Sequence, residues 1–178
     1  MITVTLPPFV QEMIPLFCEK MYFARRSEKT ARKKFGNLSE KDTHYNGFGA
    51  EYAVSWLLNC SFDWTLTSGN RGYDLEAVFP NLDGTFCKYK IESKWSSREN
   101  GSLLLEFHKV YDADIYVLST GNFPTFNIVG WCSQLEALNA ERKYLKPLDE
   151  NQTIIVPQNK LHPFPDSLFT ELQKRGRK

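Results

Sequence analysis

Gly72-Tyr73-Asp74-Leu75-Glu76-Ala77-Val78-Phe79, a turn at Asn81-Leu82-Asp83-Gly84, then Cys87-Lys88-Tyr89-Lys90-Ile91-Glu92-Ser93-Lys94-Trp95 is the stretch from which the rest of the chain is best read. Both arms alternate polar and apolar residues, the period of a half-buried strand. Asp74 and Glu76 share one face of the first arm, with Tyr73, Leu75, Ala77 and Phe79 on the other. On the second arm Lys88, Lys90, Glu92 and Lys94 lie opposite Cys87, Tyr89, Ile91 and Trp95. Folding the hairpin about Asp83 sets Glu76 across from Lys90, an expected cross-strand ion pair, and Asp74 across from Glu92. A one-residue slip would mismatch the polar faces.

Directly opposed residues on antiparallel strands hold their Cβ atoms roughly 4.5–5.5 Å apart, and like charges so placed destabilise the sheet. Two carboxylates there need a cation, a shared proton or a nearby base. Lys94 stands two residues beyond Glu92 on the same face, and a hard divalent cation with oxygen ligands would fit better still.

Gly72-Tyr73-Asp74 followed by Glu92-Ser93-Lys94 resembles the active-site hairpin of the PD-(D/E)XK nuclease superfamily, which includes restriction enzymes, Holliday junction resolvases and phage or viral nucleases. Tyr73 stands where that pattern usually has proline. The resemblance covers roughly 47–131 and implies a restriction-endonuclease-like α/β (α+β) core, a mixed central sheet flanked by helices in the order αβββαβ. It further implies an Mg²⁺- or Mn²⁺-dependent deoxyribonuclease. In that family pattern Asp74, Glu92 and the Ser93 carbonyl would hold the ion, with Lys94 and Glu51 as further catalytic residues. Lys94 would position or deprotonate the attacking water, or neutralise the transition state. DNA is the implied partner, and a homodimer would supply the two sites that two-strand cleavage needs. The competing readings are a nuclease fold that binds nucleic acid without cutting, and a binding protein whose hairpin charges are a solvated face.

Composition sets the outer bounds. The 178 residues suit one domain, with a core at about 46–132 and helical elaborations at both ends. A hydrophobic fraction of 42% with 14% aromatics argues for a globular chain over a disordered one. No apolar run approaches the ~20 residues of a membrane span. A net charge of +1 permits a local basic groove but not a uniformly basic surface. Cys18, Cys60, Cys87 and Cys132 are scattered without a C-x-x-C pair, and the histidines lack ligand spacing. Reduced thiols in a cytoplasmic compartment (host cytoplasm for a viral protein) are the expectation.

Residues 9–35 read as a helix with Val10, Ile14, Phe17, Cys18 and Met21 on its apolar face and Pro15 at a start or a kink. Its basic end, including Arg25, Arg26 and Lys29, either complements the helix dipole or contacts phosphates. A polar connection over 38–45 leads to a buried helix, Asn46 to Leu58. Glu51, in the first turn of that helix, either caps it or faces the acidic pair. Gly47 and Gly49 would bring the helix start close to neighbouring backbone.

Arg71 arrives beside Asp74 as a carboxylate partner or a phosphate contact. The loop after Lys94, with Ser96 and Arg98, and Lys109 beyond the next strand are further candidates for DNA contact. Strands are expected at Leu103–Phe107, Asp114–Ser119, Phe126–Trp131 and Thr153–Val156, and helices at Gln134–Tyr144 and Ser167–Lys174.

Overall fold

A computed structural model describes residues 1–26, 40–64, 73–80, 84–110, 112–145, 152–165 and 168–170, with backbone only at 22–26 and 40. Arg71, Lys29 and the Asn81–Asp83 part of the hairpin turn fall outside them, as do the side chains of Arg25 and Arg26.

The hairpin forms as β2 (Leu75–Pro80) and β3 (Phe86–Trp95), antiparallel, with Leu75 opposite Ile91 and Glu76 opposite Lys90. That register is the expected one. β3 then pairs in parallel with β5 (Ile115–Asn122), which returns antiparallel as β6 (Thr125–Ser133). A strand at the very start of the chain, β1 (Ile2–Thr5), adds to the far side of β6 and closes the order β1-β6-β5-β3-β2. The class is therefore a mixed α/β fold, with one five-stranded mixed sheet and a few helices.

Two apolar clusters cover this sheet, one on each face. On the first face Ile91, Val117 and Ile128 pack with Ala50, Ala53, Val54, Val10 and Ile14 of the two long helices. These are α1 (Pro8–Arg26) and α2 (Glu40–Leu58). On the second face Tyr116, Leu118 and Cys132 pack against Leu103, Leu105, Ile154 and Val156. Those last four belong to β4 (Leu103–Glu106) and β8 (Thr153–Val156), which form a separate sheet with β7 (Glu141–Lys143) in the order β4-β8-β7.

Several sequence expectations need correction. The first residues are not a helical elaboration alone, since β1 is a strand of the main sheet; four residues of Ile-Thr-Val-Thr are too short for alternation to stand out. Pro15 lies inside α1 and does not begin it. Pro8 occupies the first helical position, where a missing N–H costs little. The polar connection before α2 is itself helical from Glu40. Lys41 pairs with Glu19 of α1 at 2.9 Å, and the Asn46 amide bridges the Asp42 carbonyl and the Phe123 N–H. Glu51 consequently sits in mid-helix, beyond reach of the N-terminal dipole.

Gly49 is needed, but for a side chain rather than backbone: a Cβ there would meet the Phe126 ring at 2.6 Å. Gly47 has nothing within 4 Å, so no close approach requires it. The Gln134–Tyr144 helix is only one turn and a half, α3 (Gln134–Leu138), begun by a Ser133–Glu136 capping box. The residues after it join β8 as β7 while Arg142 lies over the Phe107 ring, so strand pairing and that stacking override helical propensity. β4 leaves the main sheet for the second one. The β3-to-β5 crossover carries it and a 3₁₀ turn, Phe107–Lys109, where the resemblance called for a helix. Residues 168–170 are helical, and most of the expected final helix lies outside the described residues.

Candidate functional site: an acidic rung where two strands part

β2 and β3 stay paired from Pro80–Phe86 to Leu75–Ile91, and there the ladder stops. The Asp74 N–H donates to the Ile91 carbonyl at 3.0 Å, the last main-chain bond before the strands part. One step further the Ser93 N–H donates to the Asp74 carboxyl at 2.8 Å. The Asp74 side chain thus takes the place of a strand partner at the fork. Within an extended strand a residue's N–H and C=O point to the same neighbour, so the Ser93 carbonyl borders the same fork. The Ser93 hydroxyl is buried without a hydrogen-bond partner among the described residues. What Ser93 offers the site is its main chain.

Alternation sets the direction of the other groups. Ile91 and Trp95 pack on the α2 side, so Glu92 and Lys94 point to the opposite face, beside Tyr116 and Leu118 in the parallel register. The Lys94 ammonium donates to the Glu92 carboxylate. The Glu92 side chain keeps 16% of its exposure and Lys94 keeps 40%, so the pair is sheltered yet open to a ligand.

Burial pushes Asp74 up, and the neighbouring Glu92 carboxylate pushes further, to about 7 from the usual 3.8. Lys94 and the Ser93 N–H pull the other way without offsetting this. The expected crowding of Asp74 and Glu92 is therefore present. Burial works to lower Lys94, but the fields of Glu92 and Asp74, with smaller help from Glu51, raise it overall. Lys94 is an ammonium ion at neutral pH.

The charge of Glu51 is felt at this site, where it helps raise Lys94. The residue stands on α2, the helix packed on the other face of the sheet, and its charge is also felt at Cys18 of α1, which burial above all pushes to about 12. No group of three or more His, Cys, Asp or Glu side chains gathers as metal ligands among the described residues. The acidic pair and the Ser93 carbonyl remain the oxygen donors at the fork.

The expected Glu76–Lys90 pair is rearranged. Glu76 and Lys90 face each other in register, but Glu76 takes the Lys88 ammonium at 2.8 Å and the Tyr73 hydroxyl at 2.6 Å. The Lys90 ammonium sits 5.2 Å over the Tyr73 ring. Tyr73 joins these two charges, which fixes it one residue from Asp74.

Among the other candidates, Ser96 folds its hydroxyl back onto the Arg98 main chain, leaving the Arg98 side chain exposed two residues farther on. Lys109 pairs with Glu106 at 2.7 Å. Glu106 itself escaped the sequence reading. Its carboxyl is held low first by the Lys109 hydrogen bond and more weakly by Lys94, which brings the end of β4 towards the rung. Tyr116 also escaped it. The residue lies beside Glu92, its phenol raised by burial and by that carboxylate, with its hydroxyl donating to the Val110 carbonyl at 2.6 Å. Inside an apolar strand nothing had marked it.

No protein-family model matches this chain, and no curated protein is detectably similar to it in sequence. Fold and site together define a mixed α/β protein with a sheltered Asp–Glu–Lys group at the parting of two strands. No helix among the described residues is long and apolar enough to cross a membrane.

Proposed function

We propose that this protein is a divalent-metal-dependent deoxyribonuclease of the PD-(D/E)XK type. One observation carries the reading: at the strand fork the buried Asp74 carboxyl, held by the Ser93 N–H, lies in the field of Glu92, and the Lys94 ammonium donates to Glu92. A folded protein gains nothing in stability from that crowding.

The donor set fits a hard cation. Two carboxylates and the Ser93 carbonyl supply oxygen ligands, and a divalent charge would remove the repulsion that drives Asp74 towards its neutral form. Asp74, Glu92 and the Ser93 carbonyl would hold the ion. When bound, it supplies charge neutralisation at the scissile phosphate and a more acidic attacking water.

The chain's own groups do the remainder. Lys94, protonated, holds positive charge beside the phosphate, where it stabilises the negative charge that builds on the phosphoryl oxygens. With a cation on the carboxylates the fields that raise Lys94 weaken, and its proton becomes easier to lose. The Ser93 N–H orients the Asp74 carboxylate. Arg98, Lys109, Arg71 and the basic end of α1 are proposed to contact flanking phosphates.

The test is incubation with plasmid, single-stranded and branched DNA in Mg²⁺, Mn²⁺ or chelator. Cleavage that needs the metal and disappears in Asp74→Ala, with an unchanged circular-dichroism spectrum, is the expected result. Binding without cleavage under every metal condition would instead favour a nucleic-acid-binding module on this fold.

A further inference from the structure

α1 carries more apolar surface than the core takes up. Its buried side chains Val10, Ile14, Phe17 and Met21 share one stripe of the helix. Phe9, Met13 and Leu16 form a second stripe beside it, at i, i+4 and i+7, within an arc of about 60°. These three are 58, 46 and 55% exposed. Single exposed apolar residues are ordinary on a protein surface, whereas three in line along two turns of one helix make a patch.

The charges beside this stripe point to what covers it. Glu19 is taken by Lys41 of α2 at 2.9 Å. Glu12 and Lys20 are exposed and form no ion pair or hydrogen bond among the described residues. They stand four residues before and four residues after Leu16. Helix geometry therefore puts them about 6 Å to either side of Leu16 along the axis, and about 40° to either side around it. A half-turn about Leu16 exchanges the acid for the base. A second α1 laid antiparallel across that point thus offers a lysine to each glutamate and a leucine to the leucine. A partner of one charge sign, such as a nucleic-acid backbone, would be repelled by Glu12 at one end of the stripe.

We propose that two copies of this chain associate through α1, antiparallel about a two-fold axis at Leu16. Leu16 of each copy meets its counterpart, and Met13 and Phe9 lie along the seam. Glu12 pairs with the partner's Lys20, and the symmetry makes that pair twice. A two-fold contact uses one patch on both copies, so the patch has to be complementary to itself, as this one is. One helix from each copy gives a contact at or below the low end of the ~1,200–2,000 Å² of stable complexes. The association therefore belongs in the micromolar range. α1 packs on the sheet face opposite Glu92 and Lys94, so both copies keep the acidic rung open. The proposal is independent of the nuclease reading.

The experiment is sedimentation velocity of the full chain, without DNA, from about 1 µM to about 200 µM. The wild type should pass from monomer to dimer over that range. Leu16→Glu, which puts two carboxylates on the axis, should stay monomeric throughout. Glu12→Lys and Lys20→Glu should each raise the dissociation constant roughly tenfold, because either change sets two like-charged pairs across the seam. The double variant Glu12→Lys with Lys20→Glu restores opposite charges and should return to within about twofold of the wild type. All four variants change exposed positions and should melt close to the wild type. A wild type that stays monomeric, a dimer that survives Leu16→Glu, or a double variant no tighter than the single ones would each overturn the proposal.

Discussion

Two neighbouring rungs of one hairpin handle their carboxylates in opposite ways. At the Glu76 rung the charge is answered by the Lys88 ammonium and the Tyr73 hydroxyl, on a ribbon open to water. At the Asp74 rung, two residues on, a second carboxylate faces the first, burial raises Asp74 to about 7, and one lysine serves both. Strand geometry is the same at each. The difference is that β2 ends between them, leaving Asp74 to bond the Ser93 main chain where a strand partner would have been. A rung built for stability neutralises itself; the Asp74 rung does not, and in the proposed reading a cation would complete it.

Activity gives the widest separation between the two. Glu92→Ala and Lys94→Ala should each lower metal-dependent cleavage by about 10³-fold or more, since each removes a charge acting on the transition state. Glu76→Ala should stay within about twofold. A plasmid-nicking assay on purified, folded variants measures both, and equal losses at the two rungs would erase the contrast.

Stability against pH gives the next largest effect. The folded pKa of Asp74 lies above its unfolded value, so the folded state holds the extra proton. Its contribution is fully present below about pH 4 and is lost as pH rises through about 7. Each unit of the shift corresponds to about 1.4 kcal/mol. Metal-free wild-type protein should therefore weaken between pH 4 and 7 relative to Asp74→Asn, which should melt higher at pH 8. Glu76→Gln should follow the wild-type profile with a loss of about 1 kcal/mol or less, as for exposed pairs. Parallel wild-type and Asp74→Asn profiles in thermal melts would remove the strain assigned to this rung.

The smallest effect belongs to the surroundings of the rung. Arg98→Ala should reduce the slope of log K against log salt by about 1, as for one lost phosphate contact. An unchanged slope would take the 96–101 loop off the DNA path.

The sequence was most informative where side-chain period and charge spoke together. Alternation through Asp74–Phe79 and Cys87–Trp95 gave the hairpin and its register, and the like charges at Asp74 and Glu92 gave the rung. The apolar face of α1 was legible from Val10 to Met21. Elements stabilised by distant partners were not legible. β1 is four residues completed by β6, and β7 is three exposed residues held by β8. The first turns of α2 are solvated and carry no apolar period, although Lys41 and Asn46 anchor them.

At the site, Glu51 was legible as a lone charge in an apolar helix, and its charge is felt at Lys94. Glu106 and Tyr116 approach the rung only after the β3-to-β5 crossover is built, a long-range event that no local pattern records. The Glu76 partner changed from Lys90 to Lys88 because Tyr73 takes Lys90 over its ring.

Calorimetric titration of Mn²⁺ into metal-free protein at pH 8 addresses the Asp74 rung most directly. Saturable binding to the wild type and to Glu76→Gln, with loss of that binding in Asp74→Asn, is the expected result. Binding of equal strength in all three proteins, or none to the wild type, would contradict the assignment of the crowded rung as a cation site.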